Sequence, residues 1–225
     1  QSDAQLNFDL GFKRKVDVAR SVQAVRNADV VVFVGGISPS LEGEEMGVDL
    51  PGFRKGDRTS IELPEVQREL LAALHRAGKK VVLVNCSGSP IGLVPETETC
   101  EAILQAWYPG QQGGKAVAEV LFGDYNPAGR LPVTFYRNTE QLPDFEDYNM
   151  KGRTYRFMTE KPLFPFGYGL SYTTFKYGTA TFNAQTIGSD DNLTVTVPVS
   201  NVGSRDGEEV VQVYLNKVGD EGGPV

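Results

Sequence analysis

The stretch that decides the fold is Asp29-Val-Val-Val-Phe-Val-Gly-Gly36, in which an unbroken apolar run ends in two glycines. The run lacks the apolar–polar alternation of a half-exposed strand. Such a run is typical of a parallel strand that is covered on both faces. We therefore expect a buried strand over residues 30–34, in a sheet that has helices on both sides.

Helical and strand patterns alternate on either side of this run. Val18, Val22 and Val25 recur at helical spacing before it, and a second amphipathic pattern extends from Pro64 to Gly78. Another apolar run, Lys80–Asn85, completes a strand–helix–strand unit with parallel strands. The predicted helices span residues 16–28, 64–77 and 112–122, and the predicted strands span 30–34, 80–85, 102–108 and 131–135. This order predicts an α/β fold, a three-layer sandwich with a mostly parallel sheet.

The pattern changes after residue 136, and a second, smaller domain is predicted. Period-two alternation extends through residues 175–182 and 193–199, and a further strand is predicted over 208–215. Such a small number of strands is the beginning of a β-sandwich and cannot close its core. We therefore predict two domains, residues 1–170 and 171–225, and expect the second to be an incomplete β-sandwich.

Composition and charge exclude several classes of function. The net charge of −7 leaves no basic stripe to neutralise phosphates, which argues against nucleic acid as a partner. No run approaches the roughly 18 apolar residues of a membrane span. With one histidine and no C-x-x-C spacing, we expect neither a metal site nor a Ser-His-Asp triad. Cys86 and Cys100 could form a disulfide, although two separate thiols are favoured. Phosphate-binding glycine motifs are absent, and we expect no cofactor.

The glycine pair leads into a long charged loop that ends at Arg58. The loop holds Glu42, Glu44 and Glu45 within four residues, with Asp57 beside Arg58. Clustered carboxyl groups can keep one of their number protonated near neutral pH, which makes it a proton donor. Glycoside hydrolysis needs such a donor. The same residues could instead form an acidic surface loop, or a calcium loop, although the D-x-D-x-D-G spacing of calcium loops is absent.

A series of short motifs follows the chain from end to end. They are ADVVVFVG (28–35), SLEGE (40–44), GDR (56–58), LPEVQ (63–67), WYPG (107–110), GG (113–114), AEVLFG (118–123), NPAGRLP (126–132), FPFGYGLSY (164–172), NVG (201–203) and GEEVVQVY (207–214). In this order they resemble glycoside hydrolase family 3, over nearly the whole chain. The resemblance covers the family's α/β sandwich domain and the passage into its fibronectin type III-like domain.

This resemblance implies a retaining, exo-acting β-glycosidase that releases xylose or glucose from oligosaccharides. In that family an N-terminal (β/α)8 barrel supplies the aspartate nucleophile, and a loop of the sandwich domain supplies the acid/base glutamate. Comparison of Ser40–Glu44 with the family's loop motifs implies that Glu42 is the acid/base, with Glu44 as the second choice. Asp57 and Arg58 resemble loop-positioning residues.

No barrel precedes the sandwich domain in this sequence, so we expect a fragment that is inactive without its barrel partner. The substrate class implies a periplasmic or secreted protein. A non-catalytic carbohydrate-binding or scaffolding unit remains an alternative, and a flavodoxin-like nucleotide binder is disfavoured because the phosphate loop is missing. Trp107–Gly110 is expected to pack and turn, and the aromatic residues of Phe164–Tyr172 to pack at the domain junction.

Overall fold

The computed structural model describes residues 16–42, 47–48 and 50–215 of the chain. Its helices are α1 (Val18–Ala24), α2 (Pro39–Glu42), α3 (Glu65–Arg76), α4 (Val94–Thr99), α5 (Gly113–Phe122) and α6 (Thr154–Phe157). Its strands are β1 (Val30–Gly36), β2 (Phe53–Arg54), β3 (Asp57–Arg58), β4 (Lys80–Cys86), β5 (Ala102–Gln105), β6 (Phe175–Tyr177), β7 (Thr181–Phe182), β8 (Val195–Thr196) and β9 (Val199–Asn201).

A parallel sheet with strand order β1-β4-β5 lies at the centre of the fold. The helix α3 packs against one face of this sheet, because its apolar residues recur every three or four positions. Gly78 adopts a φ of +72° just after α3, a conformation that glycine accepts without strain. The residues at the centre of this core are Phe33, Leu70, Leu71, Leu74, Val81 and Leu83. The α/β class and the parallel sheet predicted from the sequence are confirmed.

The strand β1 differs from its prediction in one respect. Val30, Val32 and Val34 are 48%, 47% and 48% exposed, whereas Phe33 is buried. The expectation that both faces of this strand are covered is therefore wrong for the described part of the chain. β1 lies at the edge of the sheet, and its three valines point away from the face on which α3 packs, because side chains alternate along a strand.

Two other elements are shorter than predicted. β5 ends at Gln105 rather than at residue 108, and Trp107 adopts a φ of +55°, which no strand residue takes. The edge strand predicted over 131–135 is reduced to one bridge, between Phe135 and Phe164. Pro132 has no N–H to donate, which limits ladder formation there. The short helices α2 and α4 were not predicted, because one or two helical turns leave no periodic signal.

The C-terminal part of the chain contains two antiparallel pairs, β6 with β9 and β7 with β8. The predicted strands over 175–182 and 193–199 are each interrupted, at Gly178 and Pro198, which lie against each other. Residues 208–215 form no strand in the described structure, so that prediction is wrong. Two-stranded pairs bury little surface, which explains why these strands stay mostly exposed.

Residues of the NPAGRLP motif connect the two parts of the chain. The Oδ1 atom of Asn126 accepts hydrogen bonds from the backbone N–H of Tyr172 (2.7 Å) and from the hydroxyl of Ser171 (3.0 Å). Arg130 forms a largely buried ion pair with Glu209, with 2.9 Å between Nη2 and Oε2. The motif therefore holds the junction in addition to forming a turn. The division at residue 170 stays a prediction.

The carboxylate of Glu62 forms a second set of long-range hydrogen bonds. It accepts hydrogen bonds from the backbone N–H of Thr139 (2.8 Å), from the Thr139 hydroxyl (2.6 Å) and from the hydroxyl of Ser60. Burial opposes the ionisation of Glu62, but these hydrogen bonds outweigh it and lower its pKa to about 2. The ionised carboxylate therefore stabilises the packing of residues 60–62 against residues 139–141.

We expect Glu62 to make the fold acid-sensitive. Since the pKa is lower in the folded state, its contribution is complete above pH 4.5 and is lost as pH falls from 4.5 towards 2. Glu62→Gln should reduce the free energy of unfolding at pH 7 by about 1 kcal/mol, a value that allows for the partial exposure of the group. Urea denaturation at pH 7 and pH 3 should show a smaller pH dependence in the variant. An exposed control, Glu101→Gln, should keep the wild-type dependence, and an unchanged dependence in Glu62→Gln would contradict the assignment.

Candidate functional site

The candidate carboxyl group, Glu42, lies at the end of the one-turn helix α2 directly after β1. The hydroxyl of Ser38 accepts a hydrogen bond from the N–H of Leu41 (3.2 Å), and the Ser38 carbonyl accepts one from the N–H of Glu42 (3.0 Å). The side chain of Leu41 is buried in the core and anchors the turn. The region predicted as a loop thus begins with an ordered turn that fixes the backbone of Glu42.

Gln67 fixes the point where the chain leaves β1. Its side-chain amide accepts a hydrogen bond from the N–H of Gly36 (2.9 Å) and donates one to the carbonyl of Gly36 (2.8 Å). Gln67 is the last residue of the LPEVQ motif and is buried at 3% exposure. The motif therefore supplies a two-point clamp between α3 and the end of β1.

Both carboxylate oxygens of Glu42 contact hydroxyl groups from neighbouring strands. The hydroxyl of Tyr108, just beyond β5, donates to Oε2 at 2.6 Å. The hydroxyl of Ser89, just beyond β4, donates to Oε1 at 3.2 Å. Because β1, β4 and β5 are parallel, their carboxyl ends share one edge of the sheet, where sites of α/β proteins form.

Arg58 lies on the other side of Ser89. Its Nη1 atom donates to the hydroxyl of Ser89 (2.9 Å) and to the carbonyl of Pro90 (3.4 Å), and its Nε atom donates to the carbonyl of Ser60 (3.1 Å). Burial lowers the pKa of Arg58, and the charges of Glu42 and Glu62 oppose that effect. Arg58 thus joins the hairpin to the segment after β4, and its loop-positioning role stays a prediction.

The remaining predicted site residues are placed differently. Asp57 is exposed, and its side chain makes no hydrogen bond to another described residue. Its backbone pairs with Arg54 in a hairpin whose turn residues Lys55 and Gly56 have φ values of 52° and 86°. Glu44, the second choice for the acid/base, lies outside the described residues.

Sequence reasoning missed Ser89 and Tyr108 as parts of the site. Trp107 packs as predicted, with its ring edge-on to Phe135 at a centroid distance of 5.9 Å, and this packing directs the next residue towards Glu42. Burial of the phenol raises the pKa of Tyr108, and so do its hydrogen bond to Glu42 and the charge of Glu42. The signal that could have found both residues is their position directly after neighbouring parallel strands.

Other kinds of site find no support in the described ranges. Within residues 16–42, 47–48 and 50–215, no group of three or more His, Cys, Asp or Glu side chains could hold a metal ion. None of the helices seen there is long and apolar enough to cross a bilayer. Cys86 and Cys100 are both free thiols, and burial raises the pKa of Cys100 to about 11.

Comparisons with known proteins give one consistent family. The chain is 57% identical over 222 residues to the xylan 1,4-beta-xylosidase of Xylanibacter ruminicola, covering 99% of this chain and 25% of the relative. It is 41% identical to the periplasmic beta-glucosidase of Salmonella typhimurium, covering 89% of this chain and 26% of the relative. The solved structure of a β-glucosidase from Erythrobacter marinus superposes with a TM-score of 0.70 at 43% identity, over 84% of this chain and 25% of that one.

The chain therefore spans about a quarter of the length of these relatives. The resemblance seen in the sequence motifs agrees with a direct match to the glycosyl hydrolase family 3 C-terminal domain over residues 6–172. Because this match extends over well more than half of the 225 residues, the chain belongs to glycosyl hydrolase family 3, of which it carries the C-terminal domain.

Proposed function

We propose that this chain is part of a retaining exo-β-glycosidase and contributes its acid/base carboxyl group, Glu42. The nucleophilic aspartate would come from a barrel domain outside this chain. The substrates would be oligosaccharides that end in β-linked xylose or glucose, as the names of the xylosidase and glucosidase relatives suggest. In the first step Glu42 protonates the leaving oxygen, and in the second it removes a proton from the attacking water.

The observation that carries this proposal is the pair of hydroxyl groups on Glu42. A hydroxyl can donate or accept a hydrogen bond, so Tyr108 and Ser89 can remain bonded whether Glu42 is ionised or protonated. An N–H partner could bond only an unprotonated oxygen. An acid/base residue must pass through both states in each cycle, and a hydroxyl environment permits both.

Arg58 supports the same role although the side chain of Ser89 lies between it and Glu42. Its guanidinium contacts Ser89 rather than Glu42, so the positive charge acts on the carboxylate through an intervening hydroxyl. A direct ion pair would hold Glu42 in its ionised form and disfavour proton donation. Arg58 therefore lies close to Glu42 without forming that ion pair, and both carboxylate oxygens are left to the two hydroxyl groups.

Two single substitutions in the full-length enzyme, one at Glu42 and one at a control glutamate, test the assignment. Glu42→Gln should lower kcat about a hundredfold or more on an ordinary xylobioside or cellobioside, because leaving-group protonation is lost. A glycoside with a good leaving group should still glycosylate the enzyme, and azide should restore turnover since it needs no general base. Glu98→Gln, an exposed glutamate of α4, serves as the control and should behave as wild type.

Glu44→Gln, measured in the same way, separates the two candidates. If Glu44→Gln shows the azide rescue and Glu42→Gln does not, Glu44 is the acid/base and the assignment to Glu42 is overturned. If neither variant loses activity, the proton donor lies elsewhere and the proposal fails.

The second candidate function is a non-catalytic carbohydrate-binding or scaffolding unit. Against it, an exo-glycosidase pocket needs walls from two domains to enclose a sugar, and one domain supplies only part of them. We propose a periplasmic or secreted location, on the strength of the relative named as periplasmic.

A further inference from the structure

We propose that Tyr108 positions the carboxyl group of Glu42 for proton transfer, through the hydrogen bond between its phenol and Oε2 of Glu42. This inference rests on the proposed function and adds a positioning residue to it. Tyr108 acts on the reaction through Glu42 and is a positioning residue.

The geometry at Tyr108 gives its hydroxyl a fixed direction. The hydroxyl lies 2.6 Å from Oε2, shorter than the 3.2 Å contact between Ser89 and Oε1. The residue before Tyr108, Trp107, has a φ of +55°, which is a strained value for a bulky residue. This backbone conformation sets the direction in which the Tyr108 side chain leaves the chain. Trp107 is held in turn by edge-on packing on Phe135, which is 1% exposed. The packing of Trp107 on the buried ring of Phe135 thus stabilises the strained backbone that directs Tyr108 towards Glu42.

Gly88 provides the space for this contact. A Cβ atom built on Gly88 would lie 2.6 Å from Cε2 of Tyr108 and 3.2 Å from Oε2 of Glu42. No side chain larger than hydrogen fits there without displacing the ring or the carboxylate. The segment after β4 therefore leaves room at Gly88 for the contact between Tyr108 and Glu42, and it also supplies the Ser89 hydroxyl.

Glu42 needs this restraint because the helix that carries it, α2, has only four residues. It ends a one-turn helix and has three rotatable side-chain bonds. A catalytic group must be held within about 0.5 Å of its productive position, and a displacement of about 1 Å can lower the rate a hundredfold. Two hydroxyls from two separate strand ends fix both oxygens, and Tyr108 supplies the shorter bond.

Tyr108→Phe in the full-length enzyme tests the inference, since it removes one oxygen and keeps the ring. On a glycoside with a poor leaving group we expect kcat to fall about tenfold with KM unchanged, because the carboxyl is present but less well placed. On a glycoside with a good leaving group the glycosylation step should be nearly unaffected. Tyr148→Phe, at a tyrosine that is 87% exposed, is the matched control and should leave both rates unchanged.

A double-mutant cycle with Glu42→Gln decides whether Tyr108 acts through Glu42. In the Glu42→Gln background, Tyr108→Phe should cause no further loss. An equal loss in both backgrounds would overturn the inference, as would an unchanged kcat in Tyr108→Phe. Failure of the proposed function gives a different result. Azide would then not restore turnover in Glu42→Gln, whatever the effect of Tyr108→Phe.

Discussion

Gly36→Ala is expected to prevent the chain from folding. Gly36 has a φ of +122°, which L-residues rarely adopt, and a Cβ atom built there would lie 1.9 Å from the carbonyl oxygen of Cys86. The atom it meets is backbone, so no side-chain rotation can relieve the clash. Gly36 is also paired in register with Cys86 and bound at both its N–H and its carbonyl by Gln67. Neither strand can move without breaking these bonds.

We expect a loss of more than about 4 kcal/mol, which is most of the stability of a domain at the lower end of the usual range of about 5–15 kcal/mol. Far-UV circular dichroism and the yield of soluble protein would measure it. Gly114→Ala is the matched control, because a Cβ atom on Gly114 meets nothing within 4 Å and the residue lies inside α5. That variant should be at least as stable as wild type, because alanine has a higher helix propensity than glycine. A cooperatively folded Gly36→Ala chain of wild-type stability would contradict the described end of β1.

Arg68→Met should destabilise the fold by about 3 kcal/mol at pH 8. Arg68 contacts Glu96 at 3.1 Å, and the side chain of Glu96 is 1% exposed with Oε2 unpartnered among the described residues. Removal of one member of a buried ion pair leaves an uncompensated charge, typically at a cost of about 3–5 kcal/mol. Burial raises the pKa of Glu96, and the charge of Arg68 opposes that effect.

The pH dependence of this variant distinguishes charge from packing. A carboxyl whose pKa is raised in the folded state contributes stability below pH 4.5, its value when unfolded, and this contribution is lost as pH rises. Urea denaturation should therefore show a smaller loss for Arg68→Met at pH 5 than at pH 8. The double variant Arg68→Met/Glu96→Leu should recover most of the stability. An equal loss at both pH values would assign the effect to packing alone.

The central elements were predictable because their signals are local. The helix α3 and the strand β4 follow from periodicity and from Gly78, and their observed bounds differ from prediction by about one residue. The half-exposed valines of β1 were not predictable, since an apolar run does not show whether another element covers the second face of its strand. The strand predicted over 208–215 failed for a related reason: alternation marks a strand only where another strand pairs with it.

The site was predictable in part. The resemblance placed Glu42 and Arg58 in one loop, and the structure brings them to either side of Ser89. The meeting of Glu42 with Tyr108 depends on strand order, because the two residues are 66 positions apart and lie beyond non-sequential strands. Local sequence patterns carry no information on which strands are neighbours. The sequence therefore places Tyr108 at the end of a predicted strand and in the packing and turn of Trp107–Gly110, with no signal for its contact with Glu42.

The attachment of Glu42 to the ends of β4 and β5 has an evolutionary consequence. Its two hydroxyl partners belong to the framework of the sheet, and neither lies in the polypeptide that follows Glu42 up to the Phe53–Arg58 hairpin. Insertions and deletions in that stretch can therefore be inherited without displacing the carboxyl group. The length of this segment could therefore vary among descendants, while the position of Glu42 stays where the framework of the sheet holds it.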